Sequence, residues 1–378
     1  MKKAIIITPF DNYSYQVRIK YVEGYLAEMG YEVKVISSDF DHRNKTVYSA
    51  KRDNLELLHV PSYQKNLSYA RINSHRVFAK KVFSRLEELH PDLVYCSAPP
   101  NFLFKYVSQY KRQHQNVKLI YELGDLWPET LPLQDKVKKL ASPALKVWTR
   151  IRDKNIGYAD GIIYECRMFS NVVSKANRNA KSEVIYLSKE DYYKGNFQLI
   201  EIPQSPLRFA YVGSINNIID IELIVEILKC VSEKTHAELV VIGGGENTEK
   251  LFHLCKEAGV KFEDHGIVYD EEEKHRILSS CHFGLNIMKN SVAVGATMKS
   301  LEYFHEGLIL VNNIPADTQE ILKKYHCGVM VSSLDVNTDL LTKVDDQMRI
   351  QSRRVFEELF DEKAIRQQFM RFLNNCGV

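Results

Sequence analysis

The sequence predicts an α/β fold of two doubly wound domains facing a cleft, and three observations predict it. Short apolar runs alternate with amphipathic helical segments along the chain. The alternation breaks once, at the polar stretch Lys189–Pro206 with Gly195, Pro203 and Pro206, and then resumes. At 378 residues the chain is too long for one ordinary core and suits two.

The first domain is expected over residues 1–190. Lys3–Thr8 is an apolar run that suits a buried parallel strand. Val17, Tyr21, Val22, Tyr25, Leu26 and Met29 recur at helical spacing, and Gly30 is a natural stop. Glu32–Ser37 is the next strand, which completes the opening unit of a Rossmann-like domain. Neither G-x-G-x-x-G nor a P-loop follows the first strand, so the NAD and Walker signatures are missing. Further strands are predicted at 55–60, 92–96, 117–121, 160–164 and 183–187. Residues 74–89 form an amphipathic helix with Val77, Phe78, Val82, Leu86 and Leu89 inward. Residues 191–206 read as a linker. The second domain, 207–348, carries strands at 207–212, 237–242, 260–263, 283–287, 308–312 and 328–331. The tail 349–378 reads as a helix, with crossing back to the first domain as an option. Ligands of such sheets bind outside the carboxyl ends of the strands, so the loops after the strands hold the candidates.

Composition narrows the function classes. Hydrophobic content of 45%, charged content of 26% and a net charge of +3 are ordinary for a soluble protein and do not call for nucleic acid. The charge is unevenly placed. Lys65–Arg85 holds six Lys or Arg and no acid, and Lys136–Lys154 holds seven and one. That face suits either anionic lipid headgroups or plain solvation. The seven cysteines are scattered without C-x-x-C, and no signal peptide or membrane-length apolar run is present, so a reduced, cytoplasmic chain is expected. The twelve histidines show no ligand spacing. Asp39-Phe-Asp41 is a D-x-D, commonplace in loops, and no metal site is expected.

The most informative stretch is Gly295–Asn313, read as a loop, a helix with Lys299 and Glu302 on one face, a Gly307 stop and a buried strand. A Lys at a helix start can neutralise phosphate, and a nearby carboxylate can accept from a sugar diol. The same pair also suits an ordinary surface helix. Lys-x-x-Glu-Tyr-x-x-x-Gly-Leu here resembles the donor-site signature of retaining glycosyltransferases of the GT-B fold, family four. The resemblance implies that Glu302 grips the ribose and Lys299 faces phosphate.

Other loops extend the resemblance. Gly213 and Ser214 follow strand 207–212, where the family has Gly-Arg; Ser214 replaces the Arg, leaving Lys299 and Lys289 as candidate phosphate cations. Gly243-Gly244-Gly245 is similar to the family's Gly-x-Gly turn, and Gly266 to the turn whose backbone reads the base. The first glutamate of the family's spaced pair is Val294 here. In the first domain, Asp125-Leu-Trp-Pro-Glu129 resembles a motif of enzymes that build surface polysaccharides. Gly124 stands where many relatives carry His, and Glu165-Cys166 replaces a usual Val-Ser after Asp160-Gly-Ile-Ile. Trp127 with its flanking acids suits either a sugar platform or a buried Trp.

The resemblance implies a metal-independent, retaining glycosyltransferase using a nucleotide-diphosphate sugar, with no other cofactor. Asp125 and Lys299 take catalytic roles. Gly213, Ser214, Gly244, Gly266, Lys289, Lys299 and Glu302 take donor-binding roles. Arg18, Trp127 and Glu129, with the loop Thr8–Tyr15, serve acceptor or phosphate. The expected acceptor is a saccharide, lipid-linked if the basic face docks on the inner membrane surface. A non-catalytic partner of a transferase is the alternative, and a nucleotide-sugar epimerase a third.

Overall fold

Both main sheets are parallel throughout, as the runs of consecutive apolar residues require when helices cover both faces. The computed structural model describes residues 1–10, 17–49, 52–131, 133, 135–177, 179–332 and 338–378. The chain divides into two units, Met1–Leu187 with Ile365–Val378, and Ser188–Ala364.

In chain order the first unit contains β1 (Lys2–Ile7), α1 (Val17–Glu28), β2 (Tyr31–Ser38), the ribbon β3 (Phe40–Asp41) and β4 (Thr46–Val47), β5 (Leu55–Leu58), α2 (Tyr69–Leu89), β6 (Leu93–Ala98), α3 (Phe102–Gln113), β7 (Lys118–Leu123), α4 (Asp135–Asp153), β8 (Gly161–Tyr164), α5 (Arg167–Val173) and β9 (Lys181–Val184). Its sheet runs β5-β2-β1-β6-β7-β8-β9. The second unit contains β10 (Leu207–Ser214), α6 (Ile221–Ser232), β11 (Ala237–Gly244), α7 (Thr248–Glu257), β12 (Lys261–Asp264), α8 (Glu271–Leu278), β13 (Phe283–Asn286), α9 (Met298–His305), β14 (Ile309–Asn312), α10 (Asp317–Tyr325), β15 (Gly328–Met330) and α11 (Asp346–Leu359). Its sheet runs β12-β11-β10-β13-β14-β15. Strand order reverses between β1 and β6 in one sheet and between β10 and β13 in the other, which are the places where doubly wound sheets receive ligands.

The final helix, α12 (Glu362–Asn375), belongs from Ile365 onward to the first unit. Its Ile365, Phe369, Phe372 and Leu373 share a core with Val22, Tyr25 and Leu26 of α1 and with Ile120 and Ile163 of the sheet. Gly161 permits this packing: a Cβ there would stand 2.6 Å from Cys376 Sγ.

The expected linker, 191–206, is grouped instead with the second unit. Polar contacts hold its beginning. Asp191 pairs with Arg353 at 2.7 Å, and the Tyr193 hydroxyl donates to Glu306 at 2.8 Å. A polar, Gly-containing stretch signals a connection, but these buried partners are invisible in its composition. Among the described residues no helix is long and apolar enough to cross a membrane.

Candidate functional site

In the second unit the candidates converge on strand ends. Ser214 and Gly244 are register partners at the ends of β10 and β11. The glycine requirement falls on the neighbours of Gly244. A Cβ on Gly243 would lie 2.0 Å from the Gly213 carbonyl, and one on Gly245 would lie 2.6 Å from that of Ile215. The Gly266 carbonyl accepts from the Gly243 N–H at 2.6 Å, so the turn after β12 closes over the glycine triplet. Lys289 is exposed after β13, and its N–H donates to the Ile218 carbonyl at 2.9 Å. That bond and the Ile219–Met288 bridge join the loops after β10 and β13 at the switch point.

Helix α9 brings the charged pair. Thr297 caps it, accepting from the Ser300 N–H, and Ser300 returns a bond to the Thr297 N–H. Lys299 follows in the first turn and lies against the end of β10: a Cβ on Gly213 would be 3.4 Å from its Cε. Its ammonium donates to the Tyr211 hydroxyl and sits 4.0 Å from that ring's centre. No carboxylate pairs with it among the described residues, and burial pushes its pKa down to about 7. Glu302, one turn on, has different company. Its two oxygens meet Lys189 at 2.6 Å and Lys274 at 3.2 Å, and both lysines also meet Glu271. Sequence reasoning missed Lys189 and Lys274; their only signal was position, just after the first unit and on the acidic helix α8. The far end of α9 is fixed by Glu306, which accepts from His275, His305 and Tyr193 and is held down to about 2, burial being outweighed by those bonds.

In the first unit most candidates are taken up by the fold. Arg18, expected to serve acceptor or phosphate, is buried. It pairs with Glu122 at 2.8 Å and donates to the carbonyls of Ile185 and Tyr186 at 2.6 and 2.7 Å. The loop expected beside it, Thr8–Tyr15, lies outside the described residues from position 11 onward. Asp125 accepts from the Leu126 N–H at 2.7 Å, Trp127 Nε1 at 2.6 Å and the Thr130 hydroxyl. It therefore organises its own loop. Glu129 accepts two bonds, at 2.8 and 2.9 Å, from Arg152, which is 2% exposed. Trp127 is buried between His75, stacked at 5.8 Å, and the Arg71 guanidinium at 4.5 Å. Asp160 accepts from the Leu119 N–H, and Asp39 and Asp41 accept from the Val60 and Arg43 N–H groups. Among the described residues no cluster of three His, Cys, Asp or Glu is placed to hold a metal.

One carboxyl at this strand end is not taken up. Glu165, after β8, lies 3.1 Å from where a Cβ on Gly124 would stand. Among the described residues no hydrogen bond reaches its carboxyl. Burial, with Glu122 adding, Arg18 opposing and Asp125 adding, pushes it up to about 8. The bare backbone at Gly124 thus leaves room for the Glu165 carboxyl.

No known sequence family and no curated protein sequence matches the chain. Solved structures do. Sucrose-phosphate synthase from Thermosynechococcus elongatus is similar at a TM-score of 0.66 and 12% identity, covering 99% of this chain and 98% of that one. Anabaena HepE in complex with UDP is similar at 0.67 and 14%, covering 99% and 100%. The apo lipopolysaccharide outer core galactosyltransferase WaaB is similar at 0.68 and 14%, covering 99% of each. At these identities the likeness establishes the fold: two Rossmann-like units of the GT-B type, as the alternation of elements predicted.

Proposed function

We propose that this chain is a glycosyltransferase that moves a sugar from a nucleoside-diphosphate sugar to a saccharide acceptor, with retention and without a metal, in polysaccharide or glycoconjugate synthesis. The observation that carries the reading is Lys299, a partly buried ammonium without a carboxylate partner among the described residues, beside Gly213 at the end of β10. A desolvated cation at a helix start is incomplete until an anion arrives. HepE, of the same fold, has been solved with UDP, with UDP and glucose, and with UDP-glucose.

In this reading the diphosphate lies against Lys299, with Lys289 as second cation and the glycine turns letting backbone approach. Glu302 accepts the ribose hydroxyls while Lys189 and Lys274 hold its carboxylate in place. The acceptor oxygen bonds to the anomeric carbon on the face the diphosphate leaves, and its proton passes to the departing diphosphate. Charge grows on the leaving group, so Lys299 supplies most of the rate. Asp125 and Glu129 act by shaping the loop around Trp127. Helix α4 exposes Leu140 at 86% together with Val137 and Val147 among Lys136, Lys138, Lys139 and Lys146, a composition suited to an anionic lipid surface and hence to a lipid-linked acceptor on the cytoplasmic face.

A thermal-shift screen over UDP-, GDP- and dTDP-sugars tests the proposal. A ligand at about 100 times its Kd adds about 2.7 kcal/mol of stability, and no shift with any donor rejects it. The internal pairing of Arg18, Asp125 and Glu129 favours one second reading, a non-catalytic partner of a transferase. Donor hydrolysis separates the two: no turnover, with Glu302→Ala behaving as wild type, selects the partner.

A further inference from the structure

We infer that the open cavity of the first unit lined by the segment entering α2, the loop at Trp127 and helix α4 binds an amphiphilic organic phosphate, a hydrocarbon chain with a phosphate head. The inference rests on the reading of the acceptor as lipid-linked and names where that acceptor is held. The cavity has a volume of about 270 Å³. Trp127 and Trp148 wall it, and Leu67, Ile72, Leu131 and Leu145 make most of its remaining surface apolar.

The polar atoms at this cavity are the unusual part. The Arg71 guanidinium stacks on Trp127 and donates to the Asn66 carbonyl at 3.0 Å. It makes no ion pair among the described residues, Asp125 acting on it only at longer range and Tyr63 lying beside it, and its Nε is buried without a bond. His75 is 4% exposed, and both its ring nitrogens lack a partner. Burial, then Arg71 and His42, drive its pKa down to about 3, so it is neutral and offers one donor and one acceptor. Trp148 Nε1 is a third buried group without a bond. Buried polar groups of native proteins are almost always satisfied, and a desolvated cation without a counter-ion is costly. One ligand answers all three: oxygens at one end for Arg71, His75 and Trp148, hydrocarbon along the rest.

Charge favours phosphate over a single carboxylate. Lys45 reaches Asn66 Oδ1 at 2.6 Å on the rim, and at His42 the charges of Arg71, Lys45 and Arg43 outnumber the one carboxylate, Asp41. A second hollow of about 220 Å³ shares Tyr69 and Ile72 and adds Arg76 and Lys105.

The test uses the protein's own reporters, since Trp127 and Trp148 are its only tryptophans and both line the cavity. Intrinsic fluorescence is followed while decyl phosphate, decanoate, decyl glucoside or inorganic phosphate is titrated below micelle concentrations. A saturable change is expected with decyl phosphate, about tenfold tighter than with decanoate or decyl glucoside and absent with inorganic phosphate. Arg71→Met weakens decyl phosphate by about tenfold and leaves decyl glucoside unchanged. Ile72→Glu, at a position 37% exposed and so tolerant of charge, weakens it as well and serves if Arg71→Met does not fold. Equal response to decanoate or to inorganic phosphate, indifference to both substitutions, or no saturable change overturns the inference. Nucleotide-sugar shifts on the wild-type chain keep the failures apart. Donor binding without decyl phosphate binding removes the cavity proposal alone, and the reverse removes the transferase reading alone.

Discussion

The strand ends of the two units solve the same structural problem differently. In the second unit, glycines keep the ends of β10 and β11 bare, and the Lys299 ammonium beside Gly213 meets the Tyr211 phenol and, among the described residues, no carboxylate. In the first unit, the acids of the Asp125–Glu129 stretch are saturated by protein donors, and Arg18 is locked under the sheet. In the proposed reading the first arrangement takes up an anion; the second has already folded around its charges. Identical residue types can thus mark a ligand site or an architectural clamp, and only the partners tell which.

The largest expected effect tests the waiting side. Lys299→Ala lowers donor turnover by about 100-fold, the scale of one lost charge stabiliser at a leaving group. Asp125→Asn costs less than about tenfold in the same assay while lowering Tm. Equal losses would erase the distinction drawn between the two units.

The clamp side is tested by stability. Glu129→Ala removes two bonds from Arg152, which is 2% exposed and keeps only Asp153 as a carboxylate partner among the described residues, and costs about 2 kcal/mol. Glu302→Ala costs less, about 1 kcal/mol, because Lys189 and Lys274 retain Glu271. Urea midpoints of the two variants read the difference, and a larger loss for Glu302→Ala would reverse the assignment.

Protonation sharpens the contrast further. The Lys299 pKa is depressed to about 7 in the folded chain. Between pH 7 and its unfolded value of about 10.4 the unfolded chain binds the extra proton, so this group makes stability rise with pH across that window, and its penalty is complete below 7. A phosphate beside it raises the pKa again. Nucleotide binding at pH 8 therefore takes up close to one proton, measured by calorimetry in buffers of different ionisation heat. Zero uptake would mean that the anion lies elsewhere.

The smallest effect belongs to Glu165. Its folded pKa of about 8 lies above the unfolded value, so its protonated form favours folding. That contribution is whole below about pH 4.3, shrinks as pH rises, and is gone above 8. Glu165→Gln should flatten this slope and stabilise the chain at pH 8 by on the order of 1 kcal/mol. A variant whose stability profile over pH 5 to 8 matches wild type would contradict the carboxyl's placement over Gly124.

The sequence carried the fold well. Short apolar runs rich in β-branched residues, such as Ala4–Ile7 and Leu239–Ile242, suit buried parallel strands, and the observed strands fall on nearly all the predicted runs. That Lys299 opens a helix and Gly213 ends a strand was legible, because helix starts and bare turns leave a residue signature. The roles of Arg18, Asp125 and Glu129 were not, since nothing local to Asp125 says that Thr130 and the Trp127 indole will fold onto it. Glu165 was visible as a departure from pattern, but only its spatial neighbour Gly124 gives the departure a meaning.

The last helix has a consequence for how the chain can be divided. A fragment ending at Leu187 would lack α12 and leave the hydrophobic bed around Ile120, Ile163 and Gly161 open to water. It should aggregate when expressed alone and be rescued by a peptide covering Glu362–Val378 supplied in trans. The same geometry makes a fusion of that peptide in front of Met1 or behind Leu187 the natural way to produce the first unit in isolation.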